Sequence, residues 1–389
     1  MLHANTYIQT MKLIKTTAIL MAALTAISGC TCRTGRPDKN AASLLSSLKS
    51  AAESGKFYYA HQDALVYGHD WKVEDVENDS LDRSDVRMVC GAHPAVVGFD
   101  LGGVELGDKA NLDGVDFTLM SRAAVTHVER GGIVTFSWHA RNPLTGGDAW
   151  DISSDKAVES VLEGGANHEM FMQWLSRVAD FFGTMKDAEG NLIPLIFRPW
   201  HENIGSWFWW GGNLCTSGQY KTLFALTRNY IEKERGLRNI LWAYSPNSEI
   251  DSTQYFSRYP GDDMVDILGV DHYEYVDRSD ESMTEDQCIE AANRHYKERL
   301  AYDLEYMAGY AKEHGKVIAV SETGFEGIPY PRWWTDVLLD AIGDAPVAYV
   351  LTWRNAWDKQ KHYFAAHPSS ADADNFREFY ENDKTIFLK

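Results

Sequence analysis

The sequence predicts a single (β/α)8 barrel, and three observations carry that prediction. From residue 41 onward, eight short runs rich in β-branched and aromatic residues alternate with amphipathic helical stretches, the pattern of parallel strands joined by crossover helices. The region spans about 350 residues, enough for eight such units with enlarged loops. No Gly-x-Gly-x-x-Gly follows the first run, so a doubly wound dinucleotide-binding sheet is the weaker alternative. Neither a linker nor a solenoid-length repeat interrupts residues 41–389, which are expected to form one domain.

The chain opens with an address. Met11 begins a better export signal than Met1: Lys12 and Lys15 precede an apolar run from Ala18 to Ile27 that is too short to span a bilayer. The run ends in Ile27-Ser28-Gly29-Cys30, which resembles a bacterial lipoprotein cleavage box, where the Cys is lipidated and becomes the new N-terminus. Residues 1–29 are therefore expected to be a signal peptide, and residues 30–40, with Gly35 and Pro37, a lipid-anchored tether. An exported lipoprotein held at a membrane by that lipid alone is the implied location. A plain secretory signal with an incidental Cys is the alternative.

Charge narrows the partners. Lys and Arg number 37 against 56 Asp and Glu, a net charge of −19; residues 1–29 carry two lysines and no acid, so the remainder stands at −21. That is the wrong sign for phosphate backbones, and no basic patch offsets it, so nucleic acid is not an expected partner. The 13 Trp cluster, as they would to offer flat apolar surfaces, and the apolar C–H faces of sugars match such surfaces. Besides Cys30, the cysteines at 32, 90, 215 and 288 are far apart and show no Cys-x-x-Cys spacing. They suggest neither a zinc site nor a disulfide scaffold, and buried free thiols are expected for most of them.

In chain order, strands are predicted at Phe57–Gln62, Val96–Leu101, Ile133–Ala140, Leu195–Glu202, Asn239–Ser245, Val265–Tyr275, Lys316–Glu322 and Val347–Arg354. Three helices show clear apolar stripes. Phe171, Trp174, Leu175, Val178, Phe182 and Met185 form one; Tyr220, Leu223, Phe224, Thr227, Tyr230 and Ile231 form another, stopped by Gly236. The third runs through Leu300, Leu304, Met307, Ala308 and Ala311 to Gly315.

Barrel chemistry sits at the C-terminal ends of strands, so an acid there carries more weight than one on a helix. Glu202 ends the fourth predicted strand and Glu322 the seventh, each followed by a Gly-containing loop. A single strand-end Glu commonly just opens a solvated loop; two, on strands four and seven, form a pattern.

Glu ends on strands four and seven of such a barrel resemble clan A of the glycoside hydrolases, retaining enzymes with the acid/base on strand four and the nucleophile on strand seven. Most of that clan has Asn before the first Glu. Here Arg198-Pro199-Trp200-His201-Glu202-Asn203 is similar to glycoside hydrolase family 26, the β-mannanases. Ser137-Trp138-His139, Gly269-Val270-Asp271-His272-Tyr273, Ser321-Glu322-Thr323-Gly324-Phe325 and Trp353-Arg354 follow the same resemblance in order, and it covers essentially all of residues 41–389. It implies a retaining hydrolase of β-1,4-mannosidic bonds, endo-acting or mannobiose-releasing, with Glu202 as acid/base and Glu322 as nucleophile. Tyr273 matches the position that hydrogen-bonds the nucleophile, and His139 and His201 match contacts to the sugar nearest the cleavage point. Trp353 matches the platform beneath that sugar, and Arg354 a neighbouring substrate contact. No cofactor is implied. No His pair has metal-ligand spacing, so no catalytic metal is expected. A monomer acting on β-mannan polysaccharide or oligosaccharide is expected.

The division of roles has a physical basis. One carboxyl must stay protonated while its neighbour is ionised, and repulsion from Glu322 together with desolvation by Trp200 and Trp207 is expected to raise the Glu202 pKa. Trp207, Trp209 and Trp210, in the loop from Gly205 to Asn213, and Trp353 with Trp357 are candidate sugar platforms. Trp209 and Trp210 are adjacent and cannot both face one sugar, so rim packing competes for them. Trp333 and Trp334 read as core, and the aperiodic stretch from Asn142 to Ala166 as a wall of the cleft. Two other readings are a mixed-linkage β-glucan or β-1,3-xylan hydrolase of the same family, and a non-catalytic glycan-binding lipoprotein. Two carboxylates aimed at one bond argue against the latter.

Overall fold

The computed structural model describes residues 39–389; the predicted signal peptide, Cys30 and most of the tether lie outside them. Eight parallel strands close into a barrel: β1 (Phe57–Gln62), β2 (Val96–Asp100), β3 (Ile133–Trp138), β4 (Leu195–Pro199), β5 (Ile240–Tyr244), β6 (Ile267–Glu274), β7 (Val317–Phe325) and β8 (Val347–Thr352). Each pairs with its sequence neighbour, and β1 pairs with β8 from Tyr58↔Tyr349 to His61↔Thr352, which removes the sheet's edges. The alternation of strand and helix is thus realised as predicted. The short strand Thr385–Leu388 adds to β1 at Phe57 and Tyr58, outside the ring of eight.

Two hydrophobic clusters build the core. The smaller joins strand residues such as Ala60, Ile196, Leu241, Ala243 and Ala319 to Ala41, Leu44, Leu48 and Ala52 of helix α1 (Lys39–Glu53). Those α1 residues recur at intervals of three and four, one face of a helix. Lys39 and Asn40, predicted as tether, lie in this helix instead. The larger cluster packs the outer strand faces against the surrounding helices, among them α2 (His168–Thr184), α3 (Ser217–Asn229) and α4 (Glu285–His314). α2 buries the predicted stripe from Phe171 to Phe182. α4 is longer than its stripe suggested, with 30 residues opened by a Thr284–Gln287 capping box; Gly315, at φ 65°, ends it by donating to the Ala311 carbonyl.

Strand ends depart from prediction where the site lies. β4 stops at Pro199, because Trp200 and Glu202 take left-handed backbone conformations at φ 57° and 50°. The Glu202 N–H then donates to the Ser245 carbonyl at 2.7 Å, which fixes the turn against the end of β5. β7 runs past its predicted end: Glu322 sits inside it, at a register shift against β6 between Val320 and Glu322. Such a bulge redirects a side chain without ending the strand.

Trp209, Trp210, Trp333 and Trp334 are all buried, and each indole N–H finds an acceptor: Ala140 O, His201 O, Glu274 Oε2 and Asp372 Oδ2, at 2.7 to 3.0 Å. The first two are therefore scaffold and not platforms. Cys90, Cys215 and Cys288 are free thiols. Among the described residues, no helix is long and apolar enough to cross a membrane.

Candidate active site

A cleft of about 570 Å³ opens at the C-terminal ends of the strands, lined by His139, His201, Glu202, Trp207, Tyr273, Glu322 and Trp353. Seven of the eight cleft residues anticipated from sequence thus converge from β3, β4, β6, β7 and the chain after β8. Arg354 is the exception. Its guanidinium instead pairs with Asp113 at 2.9 Å and reaches the Tyr67 hydroxyl at 3.5 Å. Trp357 is also outside it, partly exposed beneath the Lys72 ammonium at 4.3 Å.

The carboxyl groups of Glu202, Asp271 and Glu322 come together, with one oxygen of each within 4.8 Å of the others. The Arg198 guanidinium lies among them, donating to Asp271 Oδ2 at 2.8 Å and to Glu322 Oε1. Burial works against the charge of Arg198, but Asp271 and then Glu322 more than restore it, so a guanidinium meets the negative charge of the cluster. Ser321 and Ser245 hold Asp271 at 2.7 and 3.2 Å. Tyr273 donates to Glu322 Oε2 at 2.8 Å; burial, and next the Glu322 charge, keep its phenol protonated and hence a donor. Glu322 is thereby gripped through both oxygens, one by Arg198 and the other by Tyr273.

Glu202 is treated differently. Burial, then repulsion from Glu322, push its pKa up to about 7, so below that pH it holds a proton and above it loses its capacity as an acid. Trp207, over 40% exposed, donates its N–H to Glu202 Oε2 at 2.5 Å, which pulls the other way. Trp200 is fully buried on the outer side of the barrel, bonded to Thr227 Oγ1 at 3.1 Å. The expectation that these two indoles raise the Glu202 pKa is therefore corrected: Trp200 faces elsewhere, and Trp207 acts through its hydrogen bond. Gly205 admits the Trp207 indole, since a Cβ there would fall 2.3 Å from the ring.

One oxygen of Glu202 lies within 4.8 Å of one of Glu322, close to the about 5–5.5 Å of a covalent-displacement pair and short of the about 6.5–9.5 Å of an inverting one. The model of the glycosyl hydrolase family 26 matches residues 36–299. The chain belongs to that family. A mannan endo-1,4-β-mannosidase of Bifidobacterium adolescentis is 30% identical over 342 residues, which are 83% of this chain and 33% of the relative. One from Bacillus subtilis is 31% identical over 199 residues, 48% of this chain and 52% of the relative. The chain thus spans about a third to a half of the length of these two relatives. Among solved structures, the family 26 β-mannanase of Bacteroides ovatus is 43% identical with a TM-score of 0.82, over 90% of this chain and 95% of that one. The catalytic domain of a family 26 endo-β-1,4-mannanase from a Bacillus species is 31% identical with a TM-score of 0.78, over 91% and 94%.

Further residues line the cleft. Trp150, 46% exposed, belongs to the Asn142–Ala166 stretch expected to wall the cleft; it does line it, and stacks on His139 with ring centroids 5.0 Å apart. Phe208, Tyr275 and Phe364 add aromatic surface, and Glu326 pairs with His362 at 2.7 Å across the loops after β7 and β8. Their signal was weak, since rim loops carry no periodicity. Arg198 and Asp271 were visible as motif members, but a motif does not say which charge lies against which.

Proposed function

We propose that this chain is a retaining glycoside hydrolase of β-1,4-mannans, with Glu322 as nucleophile and Glu202 as acid/base. The observation that carries the reading is the pair itself: two carboxyls within covalent-displacement distance, one protonated up to about pH 7 and the other held by a guanidinium and a phenol. In the first displacement, Glu322 attacks the anomeric carbon, the glycosidic C–O bond breaks, and Glu202 gives its proton to the departing oxygen. In the second, Glu202, now a carboxylate, takes a proton from water; the resulting hydroxide oxygen bonds to the anomeric carbon and Glu322 leaves. Trp353 and Trp150 offer flat faces to the pyranose C–H surface, and the His139 and His201 rings line the cleft beside them. The names of the relatives favour mannan among β-glycans.

A product time course on β-mannan, mixed-linkage β-glucan and β-1,3-xylan tests the proposal. Mannan is expected to be cleaved at least ten times faster than either of the others; equal or faster cleavage of glucan or xylan would reassign the polymer. One dominant disaccharide from the outset would mark release from a chain end, and a ladder internal cleavage.

The Ile27-Ser28-Gly29-Cys30 box further supports an exported lipoprotein, periplasmic or cell-surface, tethered through Cys30. Cys30→Ser is expected to move the protein from the membrane pellet to the soluble fraction with activity unchanged. Continued sedimentation after a salt wash would contradict the anchor.

A further inference from the structure

At the ends of β2, β3 and β4, three buried groups form a chain that the two displacements do not use: Asp100, His139 and His201. Asp100 Oδ2 accepts from His139 Nδ1 at 2.7 Å and from the Ser137 hydroxyl at 2.6 Å. Its Oδ1 accepts from the backbone N–H of Gly102 at 2.8 Å and of His139 at 3.2 Å. Four donors on one buried carboxylate hold it as an anion. With Nδ1 donating to Asp100, His139 turns Nε2 toward His201 Nε2, 3.2 Å away, and a single hydrogen fits between the two nitrogens.

His201 is the poorer site for that proton. It is buried, its Nδ1 has no hydrogen-bond partner among the described residues, and the charged neighbours that act on it are Arg198 and His139, both cationic or able to become so. The charges that act on His139 are those of Asp100, Glu322 and Glu202, and its own charge is felt at Asp113. Burial alone would lower the His139 pKa, but Asp100, with smaller contributions from Glu322 and Glu202, brings it above its ordinary value.

We propose that Asp100 is a positioning residue: it locks the His139 imidazolium beside the Glu202–Glu322 pair, and this cation sets when Glu202 releases its proton. A positive charge near Glu202 favours its carboxylate, so it lets the residue recycle from acid to base without waiting for a high pH. The same charge opposes the repulsion from Glu322. The inference rests on the assignment of Glu202 as acid/base.

Asp100→Asn keeps the side-chain shape and removes the charge. The first readout needs no substrate: the imidazole nitrogens of His139, assigned with His139→Gln, are titrated by NMR in both proteins. His139 is expected to stay doubly protonated to higher pH in the wild type, and to titrate at least about one unit lower in Asp100→Asn. Identical titration overturns the proposal. The second readout is the alkaline limb of kcat/KM on mannohexaose, which is expected to move up by roughly half to one pH unit in Asp100→Asn, because Glu202 loses the cation that favours its ionised form. A lowered plateau with an unmoved limb would reduce Asp100 to a structural role and overturn the proposal. Should Asp100→Asn fold poorly, His139→Gln must show the same upward shift, and its absence there is equally contradictory. If the wild type leaves mannohexaose uncut, the mannan reading fails, while the NMR titration still decides the Asp100–His139 link.

Discussion

Glu322→Ala is expected to lose roughly 10⁴-fold or more in turnover on every substrate, activated or not. Asp271 is the near neighbour, but its oxygens are taken by Arg198, Ser245 and Ser321. The variant also leaves Arg198 with one anionic partner in place of two, so folding must be checked by thermal unfolding. With azide as an external nucleophile and an activated aryl mannoside, partial rescue should yield a glycosyl azide inverted relative to the substrate. Unchanged turnover would remove the nucleophile assignment.

Glu202→Ala is expected to show the opposite selectivity. On mannooligosaccharides the leaving alkoxide needs a proton, and loss of the acid costs about 10²–10⁴-fold. On dinitrophenyl mannosides the leaving group needs none, so the first displacement proceeds and an initial burst of phenolate precedes slow release of the sugar. Equal losses on both substrates would contradict the division of roles. The environment of each carboxyl fits the role proposed for it. Among the described residues Glu202 has a single hydrogen-bond donor to its carboxyl, Trp207, and a burial that favours the neutral acid, whereas Glu322 receives a guanidinium and a phenol.

Much of this was legible in the sequence, for physical reasons. A barrel strand is short and buried on both faces, so Leu195 to Phe197 and Val317 to Val320 stand out as apolar runs whatever the loops do. Glu202 and Glu322 stand out because they interrupt those patterns. The errors lie where local conformation breaks the pattern. Nothing in Arg-Pro-Trp-His-Glu announces two left-handed residues, yet they turn Trp200 out into the helical shell and carry Glu202 over the cleft. The bulge in β7 is likewise invisible, because Ser321 and Glu322 read as a strand end when the chain in fact continues paired to Phe325. Aromatic residues were the hardest to place. Trp207, Trp209 and Trp210 share one loop, and only three-dimensional packing separates the exposed first from the buried pair. Arg354 sits next to a cleft residue, but its pairing with Asp113 in the loop after β2 is a long-range contact that adjacency cannot reveal.

The anomeric configuration of the first product tests the central claim most directly. A soluble mannooligosaccharide is mixed with the enzyme, and proton NMR is recorded within the first minutes, before mutarotation. Two displacements at the anomeric carbon restore its configuration, so the β-anomer is expected to appear first, with the α-anomer growing in only as mutarotation proceeds. Initial α-anomer would mean a single displacement by water, and would contradict a covalent role for Glu322.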